Sequence, residues 1–180
     1  MNIDTPEVRK RLEGWFGMLA ADNYKVTSKQ SKKYNCIAWS MGKTNKWWEA
    51  IKGKGKYRGY HWPDGISEDG SAKSLVQLYE RWGYTACGKD ATLEVGIEKV
   101  AIYCDSNGGY THGARQIQNG HWTSKLGHFE DISHESLEAL CGDGKAYGEL
   151  FCIMKRSRYE EEERQAIYPR KKAKRAIAKK

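Results

Sequence analysis

The chain has 180 residues, of which 39% are hydrophobic and 12% aromatic, a composition that fits one globular domain able to fold without disulfide bridges. No stretch approaches the ~18 consecutive apolar residues of a membrane span, so the sequence predicts no membrane segment. The net charge of +8 is concentrated at one end, because Arg170–Lys180 contains seven basic residues and no acid, which leaves the body near +1 (8 − 7). A nucleic-acid enzyme would carry basic residues over its body as well, so this charge predicts only weak contact of the tail with nucleic acid or an anionic surface.

The cysteines and the N-terminus predict a cellular compartment. Five cysteines at irregular spacing, without a CxxC pair, indicate a reducing environment and no structural zinc site. The first seven residues lack a charged and then apolar leader, so we expect a cytoplasmic protein or one exported by a machine that needs no leader. We expect no cofactor and no metal, since none of the histidines has the i, i+4 spacing of a helical zinc motif; four of them lie close in sequence, at His112, His121, His128 and His134.

Helix signals dominate the first half of the chain. Thr5 is a predicted N-cap with Pro6 at the first helical position, a pairing that satisfies the end of a helix. Asn35 is the predicted N-cap of a second helix that begins at Cys36 and carries an apolar run inward. Ser71 is the predicted N-cap of a third helix, which has an apolar face at helical spacing.

Strand signals dominate the second half. Short apolar or alternating runs predict strands at residues 99–104, 110–117, 121–126 and 146–154. Asn119-Gly120 predicts a hairpin between the second and third of these strands. After the third strand, Ser133 or His134 is predicted to open a helix that contains Leu137 and Leu140. Helices followed by an antiparallel meander indicate an α+β domain over residues 1–158, followed by a charged helix or basic tail over residues 159–180.

Cys36 and His112 form the predicted catalytic pair. The start of a helix presents unpaired N–H groups and a partial positive charge, which favour a thiolate over a thiol. A histidine within hydrogen-bond reach stabilises the thiolate and transfers the proton to the leaving group. The alternative is that Cys36 simply packs in the core, because cysteine is among the residue types most often buried.

The local patterns resemble those of the papain-like thiol hydrolases, in the broad sense that includes the NlpC/P60 and CHAP amidases. Tyr34–Ile37 places an Asn-Cys pair at a helix start, similar to the Asp-Cys or Gln-Cys of those enzymes, and Val100–Tyr103 resembles the strand that carries their histidine. The stretch Thr111–Gly127 also resembles a small uncharacterised bacterial family with the same Cys and His patches. The resemblance covers residues 30–155 in patches. It implies a papain-like fold, in which N-terminal helices, including the Cys-bearing helix, pack on a small antiparallel sheet.

The sequence departs from these families at several positions. In NlpC/P60 and CHAP enzymes the catalytic histidine directly precedes the strand, where this chain has Lys99, so His112 on the next strand is closer to the layout of papain and the transglutaminases. Papain-like enzymes use a glutamine six residues before the cysteine as an oxyanion donor, and Gln30 stands at that spacing. The backbone N–H of Cys36 is the second predicted oxyanion donor. The tryptophan that directly follows the cysteine in papain is Ile37 here.

The third catalytic residue, which orients the histidine, has two predicted assignments. A two-residue loop at Asn119-Gly120 would place His112 on the face of Thr123, whereas a three-residue loop would place it on the face of Ser124. Asp131, which follows the hairpin, could also reach back as the aspartate does in transglutaminases. Charge favours Asp131, whereas position favours Ser124.

The predicted function is that of a cysteine hydrolase acting on an amide bond of a peptide or amide-containing substrate, as a peptidase, peptidoglycan amidase or deamidase. The Gly-, Lys- and Trp-rich segment 42–69 is predicted to be an irregular insertion that borders the cleft. Trp62 in this segment and Trp122 on the hairpin are the predicted substrate contacts. The alternative is a non-catalytic binding module that uses the basic tail and exposed aromatic residues to contact nucleic acid.

Overall fold

The protein is an α+β domain, as the sequence predicts. The computed structural model describes residues 2–50 and 60–158. In these residues the helices are α1 (Pro6–Trp15), α2 (Cys36–Ser40) and α3 (Ala72–Arg81), with short 3-10 helices at Leu19–Ala21 and Glu138–Leu140. The strands are β1 (Lys25–Val26), β2 (Trp47–Trp48), β3 (Tyr60–His61), β4 (Thr85–Ala86), β5 (Ile97–Cys104), β6 (Tyr110–Gln116), β7 (Trp122–Lys125), β8 (Asp131–His134) and β9 (Glu149–Ser157).

A seven-stranded antiparallel sheet organises the domain. Its strand order is β1-β8-β7-β6-β5-β9-β4, and β2 and β3 form a separate two-stranded parallel sheet. The hairpin predicted at Asn119-Gly120 is confirmed. The backbone N–H of Ile117 donates to the carbonyl of His121 at 2.8 Å, so the loop has three residues, 118–120, with Gly120 at φ +88°. This loop length sets which β7 side chains share a face with His112.

The predicted helix starts are confirmed at two caps. The Thr5 hydroxyl accepts a hydrogen bond from the backbone N–H of Val8 at 3.4 Å, with Pro6 at the first helical position. The Ser71 hydroxyl accepts one from the backbone N–H of Ser74 at 3.1 Å. Each cap satisfies an N–H group that a helix end would otherwise leave unpaired, so the local sequence is sufficient to set these starts.

The two faces of the central sheet are covered by different helices. Ala101 and Ala114 lie opposite each other on the face that packs against Leu12 and Phe16 of α1. On the other face, Val100 and Ile102 belong to the cluster formed with α2 and α3, in which the buried side chains include Ile37, Leu75 and Leu78. Because side chains alternate along a strand, consecutive residues of β6 face different helices.

The helix predicted at Ser133 or His134 is wrong. Residues 131–134 form β8, in which His134 lies opposite Trp122 and Ser133 lies opposite Thr123. The helical turn comes later, as the 3-10 helix Glu138–Leu140. Pairing with β7 satisfies the backbone of this segment and buries Ile132, which a helix at this point would not do.

Lys99 is fully buried on β5. It occupies the position at which NlpC/P60 and CHAP amidases have their histidine. Its ammonium donates to the carbonyls of Asp90 and Thr92 at 3.0 and 2.7 Å and lies 2.8 Å from the Glu94 carboxylate. A buried cation needs such partners, and these all come from one loop. Lys99 therefore ties the loop before β5 to the sheet.

Two predicted features lie wholly or partly outside the described residues. The charged segment 159–180, with Arg170–Lys180, is outside them, as are residues 51–59 of the predicted insertion. Every helix in residues 2–50 and 60–158 is too short or too polar to cross a bilayer.

Candidate active site

Asn35 sets the position of Cys36 at the start of α2, as predicted. Its side-chain oxygen accepts hydrogen bonds from the backbone N–H groups of Ala38 at 3.2 Å and Trp48 at 3.0 Å. Its amide nitrogen donates to the carbonyl of Trp48 at 2.6 Å. The fully bonded, buried Asn35 therefore holds the helix start and β2 together.

Backbone N–H groups of Gly113, Ile37 and Cys36 itself lie near the Cys36 sulfur and lower the pKa of its thiol. Burial nevertheless dominates and raises the pKa of the Cys36 thiol to about 12, with the carboxylate of Glu49 acting in the same direction. At pH 7 Cys36 therefore holds a neutral thiol. These three N–H groups would stabilise a thiolate more strongly than the neutral thiol, because a hydrogen bond to a charged acceptor is stronger.

Gly113 permits the close approach of α2 to β6. A Cβ atom at this position would lie 2.7 Å from the hydroxyl of Tyr79 and 3.3 Å from both the Ile37 side chain and the Ser40 hydroxyl. These atoms belong to the tightly packed region where Ser40 and Tyr79 share a 2.6 Å hydrogen bond. The absence of a side chain at residue 113 thus lets the Cys36 sulfur reach the strand backbone.

The edge of β6 that faces β7 is unpaired at Gly113. β7 pairs with β6 only at Arg115 and Gln116, so the strand ladder on this side ends before Gly113 is reached. The backbone N–H of Gly113, the residue after His112, therefore lies close enough to the Cys36 sulfur to lower the pKa of its thiol.

His112 is fully buried on the α1 face of the sheet and belongs to a chain of hydrogen bonds. Its Nε2 lies 2.9 Å from the Ser124 hydroxyl, which lies 2.9 Å from Nε2 of His134. His134 Nδ1 lies 2.7 Å from the carbonyl oxygen of Ser136. The three-residue hairpin loop therefore gives the predicted parity at which Ser124 shares the face of His112.

Two tyrosine rings enclose the His112 imidazole. Tyr147 stacks on it at a ring distance of 4.0 Å and an angle of 7°, and Tyr103 meets it edge-on at 5.4 Å. Burial, together with the nearby imidazole of His134, lowers the pKa of His112 well below its usual range, so the ring is neutral at pH 7. Its Nδ1 is buried and has no hydrogen-bond partner among the described residues.

Cys36 and His112 make no direct hydrogen bond within the described part of the chain. Cys36 comes from the α2 side of the sheet, whereas His112 points to the α1 side. The expected Cys–His hydrogen bond is therefore absent from this resting arrangement. Between the two residues lies Gly113, the neighbour of His112, whose backbone N–H lowers the pKa of the Cys36 thiol.

Asp131, the alternative third member, does not contact His112. Its carboxylate accepts a hydrogen bond from the Tyr34 hydroxyl at 2.7 Å and lies 3.7 Å from the ammonium of the buried Lys125. Lys125 also lies 5.3 Å from the centre of the Tyr34 ring and donates to the carbonyl of Phe129. Asp131 thus braces the segment that leads to Cys36, and the histidine partner is Ser124.

Three other predicted site residues lie away from the Cys36 and His112 side chains. Gln30 is exposed and donates its amide to the Glu130 carboxylate at 3.1 Å, so it is not an oxyanion donor in this arrangement. Trp122 is 2% exposed and packs in the core cluster on the α1 face. Trp62 is half-buried, stacks on Tyr110 at 6.1 Å and donates to the carbonyl of Ser67.

His134 and Tyr147 lie at this site but were not predicted as site residues. His134 falls in the segment predicted to be helical, and a helix does not place it on the same face as Ile132 as a strand does. A strand over residues 131–134 places the His134 side chain on the same face of the sheet as Ser124. Tyr147 carried no signal, since an aromatic residue before a strand is most often a core residue.

One family covers the whole of this site. Residues 25–155 match the family described as Domain of unknown function (DUF7689), a range that contains Cys36, His112, Ser124, His134 and Tyr147. No curated protein and no solved structure matches the chain significantly. Because the match extends over well more than half of the 180 residues, the chain belongs to the DUF7689 family.

Proposed function

We propose that the protein is a papain-like cysteine hydrolase that cleaves an amide bond, with Cys36 as the nucleophile and His112 as the general base. The observation that carries the proposal is the free Nδ1 of His112. A buried polar atom without a partner is uncommon and calls for an explanation, and here it belongs to an imidazole whose other nitrogen is held in place. The Cys36 thiol lies near the backbone N–H of Gly113, the residue next to His112, at a point of β6 that does not pair with β7.

The proposed reaction moves one proton at each step. The Cys36 thiol gives its proton to Nδ1 of His112 while the sulfur attacks the carbonyl carbon of the substrate. The backbone N–H groups of Cys36 and Ile37, which already lie beside the sulfur, stabilise the oxyanion that forms. The C–N bond breaks as His112 returns the proton to the leaving amine, and water then hydrolyses the thioester.

The resting arrangement requires an opening step before substrate can bind. Cys36 is only 9% exposed, and the half-buried Tyr147 ring covers His112. The backbone of Tyr147 is held by two hydrogen bonds. Its carbonyl accepts one from the Thr111 hydroxyl at 2.5 Å, and its N–H donates one to the carbonyl of Leu140 at 3.0 Å. A shift of this tyrosine would free the His112 ring, which must also turn from the α1 side of the sheet towards the α2 side for its Nδ1 to reach the Cys36 thiol.

Acylation by an activated ester tests the proposal directly. We expect p-nitrophenyl acetate to release p-nitrophenolate and leave one acetyl group on the protein, located on Cys36 by intact-mass measurement and peptide mapping. Cys36→Ser should abolish the thioester, and His112→Gln should slow its formation by about 100-fold or more, the usual contribution of a general base. Cys104→Ser is the matched control, since it alters a half-buried cysteine at the end of β5.

Two results would contradict the hydrolase. Acetylation spread over several cysteines at similar rates would show that Cys36 has no special reactivity. Acetylation at Cys36 that is indifferent to His112→Gln in a folded variant would remove His112 from the reaction.

A non-catalytic binding module is the second candidate, and an aromatic group on the surface favours it. The Trp47 ring lies between those of His128, at 4.4 Å, and Tyr60, at 5.9 Å. His128 is exposed and Tyr60 is 44% exposed, so this group offers stacking surface to a base or a sugar.

Oligonucleotide binding measures this second candidate. We expect a single-stranded oligonucleotide to quench tryptophan fluorescence, and Trp47→Ala to weaken binding by about tenfold or more, because one stacked base contributes about 1–3 kcal/mol. Phe151→Ala is the matched control, as Phe151 is an aromatic residue 39% exposed outside the group. Equal affinities of the wild type and Trp47→Ala would exclude this surface as the binding site.

A further inference from the structure

We infer that His134 is a positioning residue, which acts through Ser124 to hold His112 in the tautomer that carries hydrogen on Nε2 and a free electron pair on Nδ1. The geometry is a chain of three hydrogen bonds, His112–Ser124–His134–Ser136, with distances of 2.9, 2.9 and 2.7 Å. Its role in catalysis rests on the hydrolase proposed above, whereas the tautomer itself does not.

The carbonyl at the end of the chain sets the direction of every hydrogen bond. A carbonyl oxygen only accepts, so Nδ1 of His134 must carry the hydrogen that bonds to Ser136. Neutral imidazole has one N–H, so Nε2 of His134 is an acceptor and the Ser124 hydroxyl donates to it. The hydroxyl has then used its only hydrogen, and its oxygen accepts from Nε2–H of His112. Nδ1 of His112 is left bare.

Burial and the nearby Asp22 carboxylate maintain this direction of the hydrogen bonds. His112, Ser124 and His134 are all fully buried, so water does not compete for their hydrogen bonds. The carboxylate of Asp22 accepts hydrogen bonds from the Ser136 backbone N–H at 2.9 Å and from its hydroxyl at 2.7 Å, which fixes the segment whose carbonyl begins the chain.

The direction of these hydrogen bonds explains why Nδ1 of His112 lacks a partner. The nitrogen left with a free electron pair is the same Nδ1 that has no hydrogen-bond partner within residues 2–50 and 60–158. Had His112 taken the other tautomer, a buried N–H would point at nothing and Ser124 would face two acceptors with one hydrogen. His134 therefore acts on the proposed base through Ser124, without touching the thiol.

Nitrogen NMR of the ring atoms tests the tautomer without any substrate. In the full chain labelled with 15N-histidine, we expect His112 to show a pyridine-type Nδ1 and a pyrrole-type Nε2 at pH 7. Ser124→Ala and His134→Leu should shift both His112 resonances towards the averaged values of mixed tautomers. His134→Gln should retain the wild-type shifts, because its side-chain carbonyl can accept from Ser124. His121→Gln, a half-buried loop histidine, is the matched control.

The outcomes separate this inference from the proposed function. A pyrrole-type Nδ1 on His112 in the wild type would overturn the inference, as would unchanged shifts in folded Ser124→Ala. The wild-type spectrum decides the direction of the chain even where a variant fails to fold. A bare Nδ1 together with an unreactive Cys36 would retain the inference and reject the hydrolase. A pyrrole-type Nδ1 together with a reactive Cys36 would reject the inference and retain a thiol hydrolase.

Discussion

Lowering the pH from 7 to 5 is expected to reduce the free energy of unfolding by about 2 kcal/mol through His134 alone. Burial lowers the pKa of this imidazole from 6.5 to about 4. The unfolded chain therefore takes up a proton near pH 6.5, whereas the folded chain resists protonation until about pH 4. Stability is retained above pH 6.5 and falls as the pH is lowered towards 4. His112, whose pKa is also lowered by burial, acts in the same direction.

Urea unfolding of the wild type and of His134→Gln at the two pH values measures this effect. The loss of stability between pH 7 and 5 should be smaller by about 2 kcal/mol in the variant, which has no imidazole to protonate at residue 134. His121→Gln, which changes a half-buried histidine in the hairpin loop, should retain the wild-type loss. A wild type equally stable at both pH values would contradict the burial of neutral histidines.

Gly148→Ala is expected to destabilise the protein by about 3–5 kcal/mol, because it combines an unfavourable backbone conformation with a steric clash. Gly148 has φ +74°, and a Cβ atom there would lie 2.1 Å from the carbonyl oxygen of Cys104. Relief requires backbone movement, because the clashing atom belongs to the end of β5. The same movement would displace Tyr147, the residue before Gly148, from the His112 ring.

Gly144→Ala is the matched control for this substitution. Gly144 has nearly the same backbone angle, φ +70°, but a Cβ atom there would have nothing within 4 Å. Its replacement should therefore cost only the about 1–2 kcal/mol of the left-handed conformation. Urea unfolding of the two variants separates the clash from the backbone term, and equal losses would show that the clash at Cys104 is relieved without cost.

Local signals in the sequence were sufficient for the helix starts and the hairpin. Asn35 and Ser71 cap α2 and α3 because a short polar side chain satisfies N–H groups only a few residues away. The same locality explains the error at His134, where the segment after Asp131 looked helical. Its strand state depends on pairing with β7, a partner whose register the local pattern does not reveal.

The identity of the third histidine partner depended on tertiary structure. The sequence left Ser124 and Asp131 open, and one additional residue in the loop at Asn119-Gly120 decided between the two faces of the hairpin. Asp131 instead pairs with Tyr34, a residue 97 positions earlier, so its charge was used elsewhere in the fold.

By itself the sequence determined the α+β class, the capped start of the helix at Cys36 and the hairpin that follows His112, since each depends on residues near in the chain. Only the tertiary structure decided that the thiol and the imidazole are both buried and neutral, and that His134 and Tyr147 adjoin His112. The physical reason is that burial and side-chain alignment across β6, β7 and β8 follow from strand register and loop length, which join residues far apart in the chain.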